Sequence, residues 1–176
     1  GWNTKADGKG KAYADRASFS KLTSVDNKTV LLYAQWKLNK YSITYKDLPS
    51  GSTNYNKTSY TINTATFSLK NASCKGYDFK GWFSDSKKTK KISSITKGST
   101  GNKTIYSKWS PHKYTIKFNA NGGTGNMKNM ASCEYGKQYN LNANTYKMDN
   151  YVFTGWNTNA DGNGTAYADN AAVKNL

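Results

Sequence analysis

The beginning of the chain recurs at its end, and this internal repeat limits the possible folds more than any other feature of the sequence. Residues 1–22 and 155–176 share 14 identities in 22 positions, and both open on GWNT followed by an Asp-Gly turn sequence. A shorter copy of this motif, Gly81-Trp82, lies between them. A chain that returns to the same landmarks is predicted to build one small module several times rather than one large domain.

Two further pairs of segments set the spacing of the repeat. LLYAQW ends at Trp36 and TIYSKW at Trp109, 73 residues later, and the same step separates YSITY at Tyr41 from YTIKF at Tyr114. We therefore predict one complete repeat between two partial ones, joined by the connectors KLNK and SPHK. They are the back part of a first repeat (the N-terminal segment, 1–36), a complete second repeat (the middle unit, 41–109) and the front of a third (the C-terminal unit, 114–176).

The hydrophobic pattern of each unit is that of β-strands. In YTIKF, three apolar residues alternate with polar ones, as expected of a strand with one buried face. NANGGTGN at 119–126 is a turn sequence, because Asn and Gly tolerate positive φ. No segment has sustained helical periodicity, and at most a short helical turn fits residues 17–22 or 170–176. The sequence predicts a mainly β fold.

Aromatic residues return in register with the repeat and form the predicted structural core. A unit of about 70 residues buries only a modest core, so large rings are expected to dominate its stability. The alternative is a stacking platform for sugars or bases, but recurrence in register is what core residues show. The predicted core residues are Trp2, Trp36, Tyr77, Phe79, Trp82, Trp109, Tyr151, Phe153 and Trp156.

Positive charge is the strongest compositional signal. The chain has 26 Lys and Arg against 10 Asp and Glu, a net charge of +16, which predicts affinity for polyanions without naming one. The densest cluster of lysines has two interpretations: a binding site for an anionic glycan such as teichoic acid or a glycosaminoglycan, or a solvated loop. Its members are Lys87, Lys88, Lys90 and Lys91. Arg16 is the only arginine, which disfavours nucleic-acid binding. No run of about 18 apolar residues is present, so no membrane insertion is expected.

No catalytic constellation is visible in the sequence. His112 is the single histidine and lies in a connector, and four of the ten carboxylates, those of Asp7, Asp15, Asp161 and Asp169, are only two repeat positions in or beside turns, each seen twice. The sequence at 157–162 imitates the start of a calcium loop, but the first copy has Lys5 at a ligand position, so an Asx-rich turn is favoured and no metal or cofactor is expected. Cys74 and Cys133 lack metal spacing; each is interpreted as a small buried or half-buried residue, with a disulfide between them as the alternative.

The strings YTIKFNANGGTG, EYGK and YVFTGWNTNADGNGTAYAD, with LLYAQW from the other copy, closely resemble the Listeria–Bacteroides repeat. This is the B-repeat type of module found in internalin B and in many large bacterial surface proteins. The resemblance covers nearly the whole chain, although the middle unit replaces NANGGTG by KDLPSGSTN and NTKADGKG by FSDSKKTKK. It implies β-grasp-like small α+β modules, strung in tandem on secreted or wall-anchored proteins. It also implies spacers or weak binding modules without catalytic activity.

Two functions follow as hypotheses. The first is a non-enzymatic, extracellular spacer of a bacterial surface protein that forms a linear array or fibre and supports adhesion. The second is a dedicated adhesin module that binds an anionic glycan through lysine-rich loops. The partial end repeats predict two kinds of partner, either neighbouring repeats of a longer array or identical chains joined head to tail by strand complementation. Both predict a linear assembly.

Overall fold

The computed structural model describes residues 1–176 and consists of strands, turns and loops, with no helix. The mainly β prediction is confirmed, but the helical part of the expected α+β module is absent. Residues 17–22 form a loop and 170–176 contain a strand, because left-handed residues at Lys21 and Asn170 interrupt a right-handed helix. The strands are β1 (Trp2–Asn3), β2 (Ala12–Tyr13), β3 (Tyr33–Ala34), β4 (Tyr41–Lys46), β5 (Ser59–Tyr60), β6 (Phe67–Ser68), β7 (Tyr77–Phe83), β8 (Ser94–Ile95), β9 (Lys103–Pro111), β10 (Lys113–Ile116), β11 (Met130–Glu134), β12 (Gln138–Asn140), β13 (Trp156–Asn157), β14 (Ala166–Tyr167) and β15 (Ala172–Lys174). None of these elements is a helix of the length and apolar content that crossing a bilayer requires.

The middle unit is built around a mixed four-stranded sheet with the order β5-β4-β9-β7. Its two central strands, β4 and β9, run parallel, with Ile43 opposite Lys103 and Lys46 opposite Tyr106. β7 lies antiparallel along the other edge of β9, and its register shifts next to Gly81, where φ is +128°. β6 and β8 form a small second sheet. The last strand of the unit, β9, is thus its central element, held along both edges.

A single cluster of buried side chains forms the core of the middle unit. Trp82 lies in it at 3% exposure, and its ring centroid is 5.0 Å from those of Tyr45 and Phe79. Its indole Nε1 donates a hydrogen bond to the Lys70 carbonyl oxygen at 2.8 Å. Trp109 and Phe79 pack against the cluster and are partly buried. The buried members are Ile43, Tyr60, Leu69, Ala72, Trp82, Ile95 and Ile105.

The N-terminal segment forms a three-stranded sheet in the order β2-β1-β3. Trp2 and Trp36 were predicted as core residues, and both positions are corrected by the structure. Trp2 is 40% exposed and Trp36 is 91% exposed. The physical reason for the exposure of Trp36 is that it lies beyond the end of β3, which is itself an edge strand, so no strand flanks it on either side. In the middle unit, β4 and β7 both flank the strand that carries the counterpart Trp109.

The C-terminal unit consists of three two-stranded sheets, β10-β11, β12-β15 and β13-β14. Trp156 is half-buried, and its ring centroid lies 4.8 Å from those of Phe118 and Phe153. Cys133 is buried and Cys74 is half-buried; both are free thiols, so the disulfide alternative is not realised. The unit repeats the aromatic pairing of the middle unit without its four-stranded sheet.

Tyr151 and Phe153, two further predicted core residues, are also corrected by the structure. Tyr151 is 70% exposed and Phe153 is 40% exposed. Their counterparts in the middle unit, Tyr77 and Phe79, belong to β7 and are paired with β9. Residues 151–154 are in no strand, so no backbone pairing holds these two positions against a core, and Phe153 is placed by its edge-to-face contact with Trp156.

Candidate functional site

The predicted lysine cluster lies on the loop that follows β7, residues 84–91, which we call the lysine loop. The carboxylate of Asp85 folds this loop by accepting hydrogen bonds from the backbone N–H of Lys90 at 2.7 Å and of Thr89 at 3.1 Å. The Thr89 hydroxyl donates a further bond at 2.9 Å. Lys88 takes the left-handed conformation that the reversal needs, with φ of +57°. One carboxylate therefore fixes the backbone from which the lysines project.

The same hydrogen bonds set the charge state of the loop. The N–H of Lys90, together with the groups of Thr89, lowers the pKa of Asp85 below its ordinary value. A carboxylate that accepts several hydrogen bonds is stabilised in its charged form. The hydrogen bonds that fold the loop therefore persist to a lower pH than they would around a carboxylate with an ordinary pKa.

The structure separates the four lysines of the cluster. Lys88 is half-buried, and its Nζ forms an ion pair with Asp47 at 2.9 Å. Lys87, Lys90 and Lys91 are exposed, and none of them takes part in an ion pair. The free positive charge of the lysine loop is therefore that of three side chains, because Asp47 partly neutralises the fourth.

The equivalent loops of the outer copies are folded by an asparagine instead. The Asn157 amide oxygen accepts from the N–H of Asn159 and Gly164, and its Nδ2 donates to the carbonyl oxygens of Gly162 and Gly164. The loop after β1 repeats this network around Asn3. These oxygen atoms are engaged within the turn, as the Asx-rich reading expects. No group of three or more His, Cys, Asp or Glu side chains could hold a metal ion.

A second notable surface is the contact between the middle and C-terminal units, which we call the repeat junction. The rings of Tyr77 and Tyr135 meet edge to face, with centroids 5.6 Å apart and an interplanar angle of 88°. A Cβ added to Gly76 would overlap the Tyr135 ring, and one added to Gly136 would overlap the Tyr77 hydroxyl. Each unit thus contributes one Tyr and one Gly, and each ring lies against the glycine of the other unit.

The connector between the two units completes the repeat junction. His112 donates its N–H to the Gly76 carbonyl at 2.8 Å and accepts the N–H of Tyr135 at 2.9 Å. Its Nε2 lies 3.0 Å from Asp78 Oδ1. Hydrogen bonds from Lys80 and then His112 lower the pKa of Asp78 from its ordinary value. The single histidine therefore has a structural position, with its backbone bonded to both units.

Sequence reasoning missed both features that shape these surfaces. Asp85 precedes a lysine run and is followed at a distance of four by Thr89, a spacing that could have been read as an Asx-type turn. Gly76-Tyr77 and Tyr135-Gly136 are visible as mirrored dipeptides. The two dipeptides come into contact because β9 leads into β10, and no local sequence pattern predicts that contact. Tyr77, a predicted core residue, lies half-buried at the repeat junction.

These observations define a protein made of tandem β-modules. The Listeria-Bacteroides repeat domain matches residues 41–108 and 114–175. The chain therefore belongs to the Listeria-Bacteroides repeat family, and the resemblance read from its sequence is confirmed. The two matched stretches correspond to the middle and C-terminal units, on either side of the repeat junction.

Two curated relatives come from Evansella cellulosilytica, and the names of both are provisional. One, named as a membrane protein, is 24% identical over 147 residues, which are 82% of this chain and 22% of the relative. The other, named as a Gly-rich membrane protein, is 26% identical over 102 residues, which are 58% of this chain and 12% of the relative. The chain thus spans less than a quarter of the length of either relative. No solved structure matches the chain.

Proposed function

We propose that the chain is a non-enzymatic spacer region of a bacterial surface protein, in which repeated β-modules are joined into a linear array or fibre that supports adhesion. Membership of the repeat family and the names of the relatives, which describe membrane proteins, support a place at the cell surface outside the membrane. The residues 1–36 are proposed as the back part of a further repeat. Their Asn3 loop has the same hydrogen bonds as the Asn157 loop.

The repeat junction is the observation that carries this proposal. A spacer holds the parts of a protein a set distance apart only if its successive modules keep a fixed orientation relative to one another. The reciprocal packing of Tyr77 and Tyr135 on glycines of the opposite unit supports such a joint, because neither ring can move without losing its contact. The two backbone hydrogen bonds of His112 restrain the connector in addition.

We also infer that the middle unit is a β-grasp-like module in which loops replace the helix. The inference is supported by its sheet order, β5-β4-β9-β7, in which the first and last strands of the unit lie parallel at the centre. The other two strands of this sheet, β5 and β7, lie at its edges, each antiparallel to its central neighbour. Because the last strand, β9, pairs with the first strand, β4, both ends of the unit lie in one sheet. The next unit therefore begins beside that sheet.

The spacer function is tested by the length of longer arrays. Repeating residues 1–154 makes such arrays, because residue 155 begins the copy of residue 1 and each block adds two repeats. A unit of this size is about 30 Å across, so each block should add about 60 Å to the maximum dimension measured by small-angle X-ray scattering. Growth with the cube root of block number, as in a compact globule, would contradict the proposal.

A second candidate function is favoured by the lysine loop. Three exposed lysines on a turn that Asp85 holds in place form a fixed positive patch in a chain of net charge +16. Such a patch would bind an anionic glycan by point-charge contacts that weaken with salt. In this alternative the chain is an adhesin and the lysine loop is its binding site.

The two functions are separated by paired charge variants. Replacing Lys87, Lys90 and Lys91 by glutamine removes the patch, and replacing three exposed lysines of the first outer loop removes the same net charge elsewhere: Lys5, Lys9 and Lys11. An adhesin would lose heparin or teichoic-acid binding only in the first variant. Equal losses in both variants would mean that binding reflects net charge alone, and affinity independent of salt would exclude the electrostatic mechanism.

A further inference from the structure

The turn that brings Gly76 to the repeat junction has an equivalent in the C-terminal unit. Residues 74–77 and 148–151 each end five positions before the Trp of a Gly-Trp pair. In both turns the N–H of the fourth residue donates to the carbonyl oxygen of the first, at 3.2 Å and 3.1 Å. The third residue is left-handed in both, with φ of +79° at Gly76 and +62° at Asn150. An asparagine therefore replaces the junction glycine in the second copy of this turn.

The other turn of the repeat junction, residues 134–137, has its equivalent at residues 61–64 of the middle unit. The 73-residue spacing relates the two, and each turn closes with a hydrogen bond from its fourth N–H to its first carbonyl oxygen, at 3.2 Å and 3.0 Å. Ile62 takes the place of the junction tyrosine, and Asn63 takes the place of Gly136. Gly136 is left-handed, with φ of +85°, whereas Asn63 has no positive φ. The two turns thus differ in backbone shape as well as in sequence.

An asparagine at either glycine position is incompatible with the packing at the repeat junction. A Cβ at Gly76 would overlap the Tyr135 ring, and a Cβ at Gly136 would overlap the Tyr77 hydroxyl. Only glycine leaves room for so close an approach, and a rigid ring can make way only by leaving its edge-to-face contact. An isoleucine in place of Tyr135 has no ring with which to make that contact. Neither equivalent turn can therefore replace its counterpart in this joint.

The two connectors differ in the same way. In SPHK, the carbonyl oxygen of His112 accepts the N–H of Tyr135 at 2.9 Å. The 73-residue spacing makes Asn39 of KLNK and Ile62 the equivalent pair, and no backbone hydrogen bond joins these two residues. The connector is thus bonded to the unit that follows it only where that unit carries a Tyr-Gly turn.

We propose that the repeat junction is a neighbour-specific contact, in which a unit with glycine before the tyrosine of β7 accepts as its next unit only one with a Tyr-Gly turn. Gly76 and Gly136 admit the ring of the opposite unit, and the asparagines at the equivalent positions exclude it. Selection by steric exclusion of the wrong partner is a common source of specificity. The repeats are then not interchangeable, and the junction residues specify their order. This inference rests on the proposed spacer function and identifies the residues that select the neighbour of a module.

Exchanging residues between the two kinds of turn, within the full chain, tests the proposal. Gly76→Asn, and separately Tyr135→Ile combined with Gly136→Asn, introduce the residues of the equivalent turns, and asparagine tolerates the left-handed backbone at both glycines. In ¹⁵N relaxation measurements, the middle and C-terminal units of the unaltered chain should share one rotational correlation time. Both variants should lose the shared value and show a separate, shorter time for each unit.

Two further variants are controls for these exchanges. Gly51→Asn should keep the shared correlation time, since Gly51 also has positive φ, at +77°, but has no atom near its Cβ position. Tyr135→Phe should keep it as well, because the ring makes the edge-to-face contact. Amide shifts of the buried Ile105 and Leu141 report whether each unit remains folded. The two exchanges alter different units, so if one of them unfolds its unit the other still decides.

The outcomes separate this inference from the spacer function. Exchange variants that stay folded and keep one shared correlation time overturn the neighbour-specific role, while the spacer function stands. The same role is overturned if Gly51→Asn loses the shared time as fully as Gly76→Asn does. Two correlation times in the unaltered chain would contradict the spacer function and the inference with it.

Discussion

Replacing Trp82 by alanine should remove most of the stability of the middle unit. The indole is 3% exposed, contacts the rings of Tyr45 and Phe79, and donates a hydrogen bond to Lys70. Truncating a buried Trp costs about 3–5 kcal/mol, and losing its hydrogen bond adds about 1 kcal/mol. A unit of about 70 residues is stabilised by roughly 4–10 kcal/mol in total. The variant should therefore leave the middle unit partly unfolded at 25 °C.

Urea titration followed by NMR measures this effect, because the amide signals of Ile105 and Leu141 report separately on the middle and C-terminal units. Trp36→Ala is the matched control. Trp36 is 91% exposed, so its loss should change the free energy of unfolding by less than about 0.5 kcal/mol. A Trp82→Ala variant that loses less than about 1 kcal/mol, or a Trp36→Ala variant that loses as much, would refute the assignment of the core.

Three further predictions concern the repeat junction and two titrating groups. Gly136→Ala should shift amide signals on both sides of the repeat junction and Gly51→Ala should not, because both glycines have positive φ but only Gly136 faces an opposing side chain. Because the pKa of Asp85 is lowered in the folded state, its stabilisation of the lysine loop is complete above about pH 4 and is lost as the pH falls through the folded-state pKa. Amide chemical shifts of the loop, measured from pH 6 to pH 2 in roughly half-unit steps, should follow this loss. Burial raises the pKa of Tyr45 to about 12, so the stability that depends on its neutral form is complete below about pH 10 and is lost between about pH 10 and 12. Ultraviolet titration should detect this tyrosine as one that ionises near pH 12.

The sequence allowed the strand pattern and its period to be predicted, since both depend on local alternation and on recurrence. The strands at Tyr41 and Tyr114 lie where the 73-residue spacing placed them. The same reasoning failed for burial. Trp36 and Trp109 close matching motifs, yet one is exposed and the other packs against a core. A residue pattern records which face of a strand is apolar, whereas burial depends on which other strands lie beside it.

In the candidate site, too, the local features could be predicted from the sequence and the contacts between distant residues could not. A cluster of four lysines within five residues can be read from the sequence, but the ion pair of Lys88 with Asp47 joins residues that are 41 positions apart. The repeat junction was not predicted because its two Tyr-Gly pairs belong to different units. Each dipeptide has an ordinary local explanation as a turn, and only the three-dimensional path from β9 to β10 brings them into contact.

The most direct test of the account is the relative orientation of the middle and C-terminal units in solution. Residual dipolar couplings of the unaltered chain, measured in one weakly aligned sample, give an alignment tensor for residues 41–109 and another for residues 114–176. Two units held by Tyr77, Tyr135 and the backbone of His112 must share one tensor in magnitude and direction. Two different tensors, with the second reduced in magnitude, would mean that the units move independently and that the repeat junction sets no fixed spacing.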